Sequence, residues 1–174
     1  MKRYCAVVIV CLIGGLNVRA DEAPKSAEVK KLAAAMIEAT KKGDYAKVID
    51  HTYPAVVEML GGRQKAINNT ETAMKTIKAQ GLEIKNASSG DPGEFYTEGK
   101  NTFVIIPTKM ELTFPMGIIR TKSYLLGISP DDGKTWTFLD GSGLQNLAIR
   151  DKVLPKMPEK LKLPENEKPE IVKD

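Results

Sequence analysis

The sequence predicts an α+β domain. Three N-terminal helices pack in a curved antiparallel sheet of four to five strands, and an extended proline-rich tail follows. Three observations predict this. Apolar residues recur at helical spacing from Val29 to Ile77. From Leu82 onward the pattern turns alternating, which is the period of a strand. Finally, the run Ser129-Pro130-Asp131-Asp132-Gly133-Lys134-Thr135-Trp136 joins two apolar, strand-like segments through a turn. Helices segregated before strands give α+β rather than alternating α/β.

The first helix is read from a polar leader, residues 21–25, with Ser26 as its N-cap. Val29, Leu32, Ala33, Met36 and Ile37 form one apolar stripe, and Lys42-Gly43 ends it. Asp44 caps a second helix carrying Tyr45, Val48 and Ile49 on one face. Pro54 kinks or restarts that helix, because proline fits a first turn and disfavours helix in the residue before it. Gly61-Gly62 stops it. A third helix runs from about Gln64 to Gln80, with Ala66, Ile67, Met74 and Ile77 inward and Gly81 past its end.

Strands are expected at Leu82–Ile84, Phe95–Thr97, Thr102–Phe114, Ile118–Ile128 and Trp136–Leu139. In the longest, Val104, Ile106, Met110, Leu112 and Phe114 share one parity and make the core face. Phe103 and Ile105 add apolar groups to the other face at one end. Pro107 lacks a backbone donor, so a bulge or an edge position is expected there. A short closing helix fits Ser142–Leu154. Residues 155–174 hold Pro155, Pro158, Pro164 and Pro169 among Lys and Glu, and read as an extended, solvated tail. Met157, Leu161 and Leu163 are the residues able to pin it. The domain is thus 26–154.

Residues 129–136 match the Asp-box pattern through Ser129, Asp131, Gly133, Thr135 and Trp136. This resembles the hairpin turns that repeat in sialidases and other β-propellers. A propeller needs several copies at a regular period; this chain has one. The turn is therefore structural. Asp131 is expected to bond within it, and Trp136 to pack beneath it.

The first 20 residues have the anatomy of a secretory signal peptide. Lys2-Arg3 is basic, Tyr4–Leu16 is apolar, and Val18-Arg19-Ala20 offers a cleavage site. The apolar run is shorter than the roughly 20 residues that span a bilayer. The expected location is periplasmic or secreted, with no membrane association after cleavage. Lys2, Arg3 and Arg19 leave with the peptide, so the 26 basic residues fall by three to 23, against 22 acidic ones. Near-neutrality and interspersed charge argue against a nucleic-acid partner. Cys5 and Cys11 leave too, which excludes a disulfide framework. One histidine and no mature cysteine exclude an ordinary transition-metal site. No phosphate-loop, dinucleotide or nucleophile-elbow motif occurs, and no cofactor is implied.

Element order, the Gly43-Asp44-Tyr45 break after the first helix and the long-strand hairpins resemble the nuclear-transport-factor-two-like superfamily over about residues 27–140. A cystatin-like sandwich is the alternative frame. The resemblance implies a cone-shaped fold with a pocket in its mouth, and homodimers paired through the sheet. Enzymatic members of the ketosteroid-isomerase-like and dehydratase-like kinds use Tyr, Asp and His in that pocket. Here the catalytic candidates are His51 and Tyr53, each weighed against a plainer role as a helix-end or core residue. Tyr53, Met59, Tyr124 and Trp136 are the cavity candidates. The leading expectation is an exported, non-catalytic domain binding a small apolar or amphipathic ligand, or self-associating. The alternatives are a small cavity enzyme, and an interaction module using the sheet face or the tail.

Overall fold

The computed structural model describes residues 18–165 and 167–173. The apolar segment read as most of a signal peptide lies outside them. Helix α1 spans Val18–Lys42, α2 Tyr45–Asp50, α3 Pro54–Met59 and α4 Arg63–Ala79. Strands follow at β1 Glu83–Ser89, β2 Phe95–Glu98, β3 Asn101–Phe114, β4 Gly117–Ser129 and β5 Thr137–Asp140. A 3₁₀ turn at Gly143–Gln145 leads into α5, Leu147–Val153, and β6 covers Glu170–Lys173. The fold is α+β, with helices packed against an open antiparallel sheet of six strands.

The expected elements are corrected at both ends of the chain. Helix α1 begins upstream of Ser26, which is therefore not its cap. Of the two readings of Pro54, restart holds: α2 and α3 are separate helices, and Thr52 between them bridges Phe138. The chain end, expected as extended tail, closes with β6 on the edge of β4. Gly117 makes that pairing fit: its φ is +141°, and a Cβ there would meet the Val172 carbonyl oxygen.

The centre of the sheet is the long β3–β4 hairpin, paired from Thr102↔Ser129 to Phe114↔Gly117. Each outer edge carries two short strands end to end. On β3, β2 pairs with 101–104 and β1 with 108–113. Pro107 sits where one partner gives way to the other. It breaks no ladder, and its carbonyl accepts from Gly90 N at 2.8 Å. On β4, β6 pairs with 117–120 and β5 with 125–128, leaving 121–124 between them.

Strand alternation sorts the core into two layers. On one face Val104, Ile106, Leu125 and Phe138 pack against Val29, Ala33 and Met36 of α1. On the other, Phe103, Tyr124, Leu126 and Ile128 pack against Leu144, Val153 and Leu161. Leu161 is only 5% exposed, so the proline-rich segment forms part of the second layer. Helix α4 docks on α2 through Ile49, Ala66 and Ile67.

Candidate functional site

The turn at 129–136 is closed by its own side chains. Asp131 Oδ1 accepts from Ser129 Oγ at 2.9 Å and from Thr135 N at 2.8 Å, and its Oδ2 accepts from Thr135 Oγ1 at 2.8 Å. These donors hold its carboxyl below the usual aspartate value, with the Thr135 amide the largest cause. Ser129 Oγ accepts from Gly133 N at 2.7 Å. Asp132 and Gly133 adopt positive φ, 59° and 89°. Trp136 donates Nε1–H to Gly133 O at 3.0 Å and is 4% exposed. Its ring centroid lies 5.9 Å from that of Phe95. Lys25 of α1 reaches Asp132 at 2.7 Å, tying the first helix to the turn. The side-chain polar groups of Ser129, Asp131, Thr135 and Trp136 all bond within the turn.

His51 and Tyr53 flank the break between α2 and α3. His51 O accepts from Phe138 N at 2.8 Å, and Tyr53 N donates to Phe138 O at 2.9 Å. The pair therefore docks the helix break onto the outer edge of β5. Burial lowers the His51 pKa, Lys47 adds to this, and Asp50 opposes it. Asp50 is committed elsewhere, accepting from Arg63 Nε and Nη2 at 2.6 and 3.0 Å. Tyr53 packs against the second core layer, and burial raises its pKa. Neither residue lines either of the two cavities described below. Met59 is 42% exposed at the end of α3 and lines neither cavity, and Trp136 lines neither. Of the four residues read as cavity candidates, Tyr124 alone borders one of them. The structure does not bring the four together. Trp136 and Tyr124 lie on opposite faces of the sheet, and Met59 sits at a helix end.

The first cavity, about 420 Å³, lies between α1 and the sheet. Met36 and Thr40 form its α1 wall. Ala87, Met110, Thr121 and Leu125 form the sheet wall. Asp140 and Ser142 stand at one end, where Asp140 Oδ1 accepts from Ser142 N at 2.7 Å and from Ser142 Oγ at 2.5 Å. Strand parity places Thr108, Met110, Thr121 and Ser123 beside one another on this face, because Thr108 pairs with Ser123 and Met110 with Thr121. The lining is thus methionine and leucine interleaved with hydroxyls, and it also includes Lys109, Lys122 and Glu167, which line the second cavity as well. Thr40 Oγ1 donates to Met36 O at 3.0 Å, which keeps its methyl available to the cavity. None of the hydroxyl residues stood out in the sequence. Their only signal is the change from Val and Ile to Thr and Met in the second half of β3.

The second cavity, about 460 Å³, is bordered by Pro164, Glu165 and Glu167 and adjoins the first through the shared residues Lys109, Lys122 and Glu167. Tyr124 forms part of its wall. Burial raises the Tyr124 pKa, the Asp140 carboxylate adds to this, and Arg150 opposes it. Gly141 is required here, since a Cβ would lie 2.5 Å from the Tyr124 ring.

Among the described residues no group of three or more metal-ligating side chains converges, and no helix is long and apolar enough to cross a membrane. Comparison with protein-family models, with curated proteins and with solved structures finds no match.

Proposed function

We propose that this chain is an exported binding protein that holds a small amphipathic ligand between α1 and the sheet. The observation that carries the reading is the 420 Å³ cavity there, walled by Met36, Met110 and Leu125 and edged by Thr and Ser hydroxyls. Small-molecule sites have this make-up: roughly 300–1,000 Å³, mostly apolar, with a few polar groups that fix orientation. Two methionines in facing walls suit a ligand of irregular shape, because the thioether side chain adapts its rotamers.

The basic–apolar–small pattern of the first 20 residues supports export. Helices followed by a long hairpin, with α1 laid across one sheet face, support a nuclear-transport-factor-two-like frame, in which this cavity is the mouth of the cone. Binding rather than catalysis is favoured because neither the His51 nor the Tyr53 side chain borders either cavity. Asp140, at the cavity's end, is occupied by Ser142.

The test is titration with an uncharged fluorescent naphthylamine. Ala87→Leu and Thr40→Phe fill the cavity from opposite walls. Each is expected to weaken the probe at least about tenfold, as loss of roughly 1.4 kcal/mol of contact does. Met59→Ala, outside the cavity, leaves affinity unchanged. Unaltered affinity in both filled variants refutes the reading.

A further inference from the structure

We propose that the opposite face of the sheet carries a second site, for a small organic anion with an apolar body. Its floor is the stretch of β3 and β4 where alternation puts Ile105, Pro107 and Lys109 beside Tyr124 and Lys122. The 460 Å³ space above them is roofed by Pro164, Glu165 and Glu167.

The argument starts from charge. Lys109 and Lys122 are directly opposite one another in the β3–β4 ladder. Like charges so placed repel, and sheets normally avoid them. The strap answers one of the two: Glu167 accepts from Lys122 Nζ at 2.8 Å, which raises the Lys122 pKa. Among the described residues no carboxylate pairs with Lys109 in this way. Beside it in the neighbouring strand stands Ser88, its register partner, which also borders the cavity. A hydroxyl and two ammonium groups thus form one row across three rigid strands. The strap contributes its carboxylate from an irregular segment. A ligand carboxylate placed between the lysines relieves the repulsion and competes with Glu167 for Lys122. The apolar body lies toward Ile105, the Tyr124 ring and Pro164. Glu167 is then a built-in stand-in for the ligand, holding the strap down when the site is empty.

The site shares Thr108, Lys109, Lys122, Ser123 and Glu167 with the α1 cavity, so the two readings are told apart by where the shifts fall: Ile105 and Tyr124 for this site, Met36 for the α1 cavity. The experiment is an NMR titration of the full chain at low salt with 4-phenylbutyrate, 4-phenylbutanol and 4-phenylbutylamine, which differ only in the head group. The carboxylate is expected to bind about tenfold tighter than the alcohol, as one charge-assisted contact allows. Shifts should centre on Ile105 and Tyr124, not on Met36. Added salt should erode the preference, because both lysines are exposed. Lys109→Gln lowers the carboxylate-over-alcohol preference several-fold, and Glu167→Gln tightens the carboxylate a few-fold. The proposal is overturned by equal binding of all three, by tightest binding of the amine, by shifts centred on Met36, or by no binding at all.

Discussion

Trp136 is the residue on which the fold-level reading of the Asp-box turn depends most. Replacing it with alanine removes an aromatic side chain that is 4% exposed and packs between Phe95, Gly127 and the α1 layer. It also removes the donor to Gly133 O. Large-to-small aromatic substitutions in cores cost about 3–5 kcal/mol. The value here should sit near the middle, about 4 kcal/mol, since the turn is separately held by Asp131 and can keep its shape. For a domain of this length that lowers Tm by roughly 8–16 °C. In urea, with a slope near ~2 kcal/mol/M, the midpoint falls by roughly 2 M. Trp136 is the sole tryptophan, so its own emission reports unfolding in the parent chain. The variant is followed by far-ultraviolet circular dichroism, with both proteins measured that way. Trp136→Phe keeps most of the packing and loses the hydrogen bond, so it should cost about 1–2 kcal/mol. A loss under about 1 kcal/mol for Trp136→Ala would refute the argument that this side chain is core.

Two further predictions concern residues whose roles are set by their neighbours. Gly141→Ala drives a methyl into the Tyr124 ring and should cost about 1–3 kcal/mol in urea unfolding; in a Tyr124→Leu background most of that cost should vanish, and additive costs would contradict the contact. His51 has a folded-state pKa below its ordinary value of 6.5, so the unfolded chain binds the proton more readily. Its contribution is complete above about pH 6.5 and is lost as pH falls through the folded value. Tm should therefore drop between pH 7 and 5, and His51→Gln should flatten that slope. The lowered carboxyls of Asp50, Asp131 and Glu38 act at more acid pH, below their ordinary values, and do not confuse the window.

How much of this was legible in the sequence varies from residue to residue. The helix stripe Val29, Ala33, Met36 and the turn at 129–136 are local patterns, and local patterns survive into the fold. Phe103 and Ile105 were visible as apolar residues on the wrong parity. The structure explains them: that end of the hairpin is buried on both faces, with α5 and the 155–163 segment as the second layer. The same double burial makes Tyr124, Leu125 and Leu126 a continuous apolar run with no alternation to read. Strand β6 was not legible, because Glu-Ile-Val-Lys in a charged, proline-rich tail has no alternation long enough to read. Its trace lies elsewhere, in Gly117, whose lack of a side chain admits the Val172 carbonyl.

The cavities were least legible. The α1 cavity arises because Thr and Ser replace larger apolar residues at positions that meet only after β3 and β4 pair. A linear reading favours conspicuous side chains, and Tyr53, Met59 and Trp136 are conspicuous. Each is instead used for a junction, a helix end or a turn. Small residues that leave space carry no comparable signal.

Ligand binding between α1 and the sheet is tested best by native mass spectrometry of the chain recovered from an exporting host, set beside Ala87→Leu prepared in parallel. An added small-molecule mass is expected on the parent protein, released by denaturation and absent from the filled variant. Equal bound mass on the two proteins, or none on either, would contradict it.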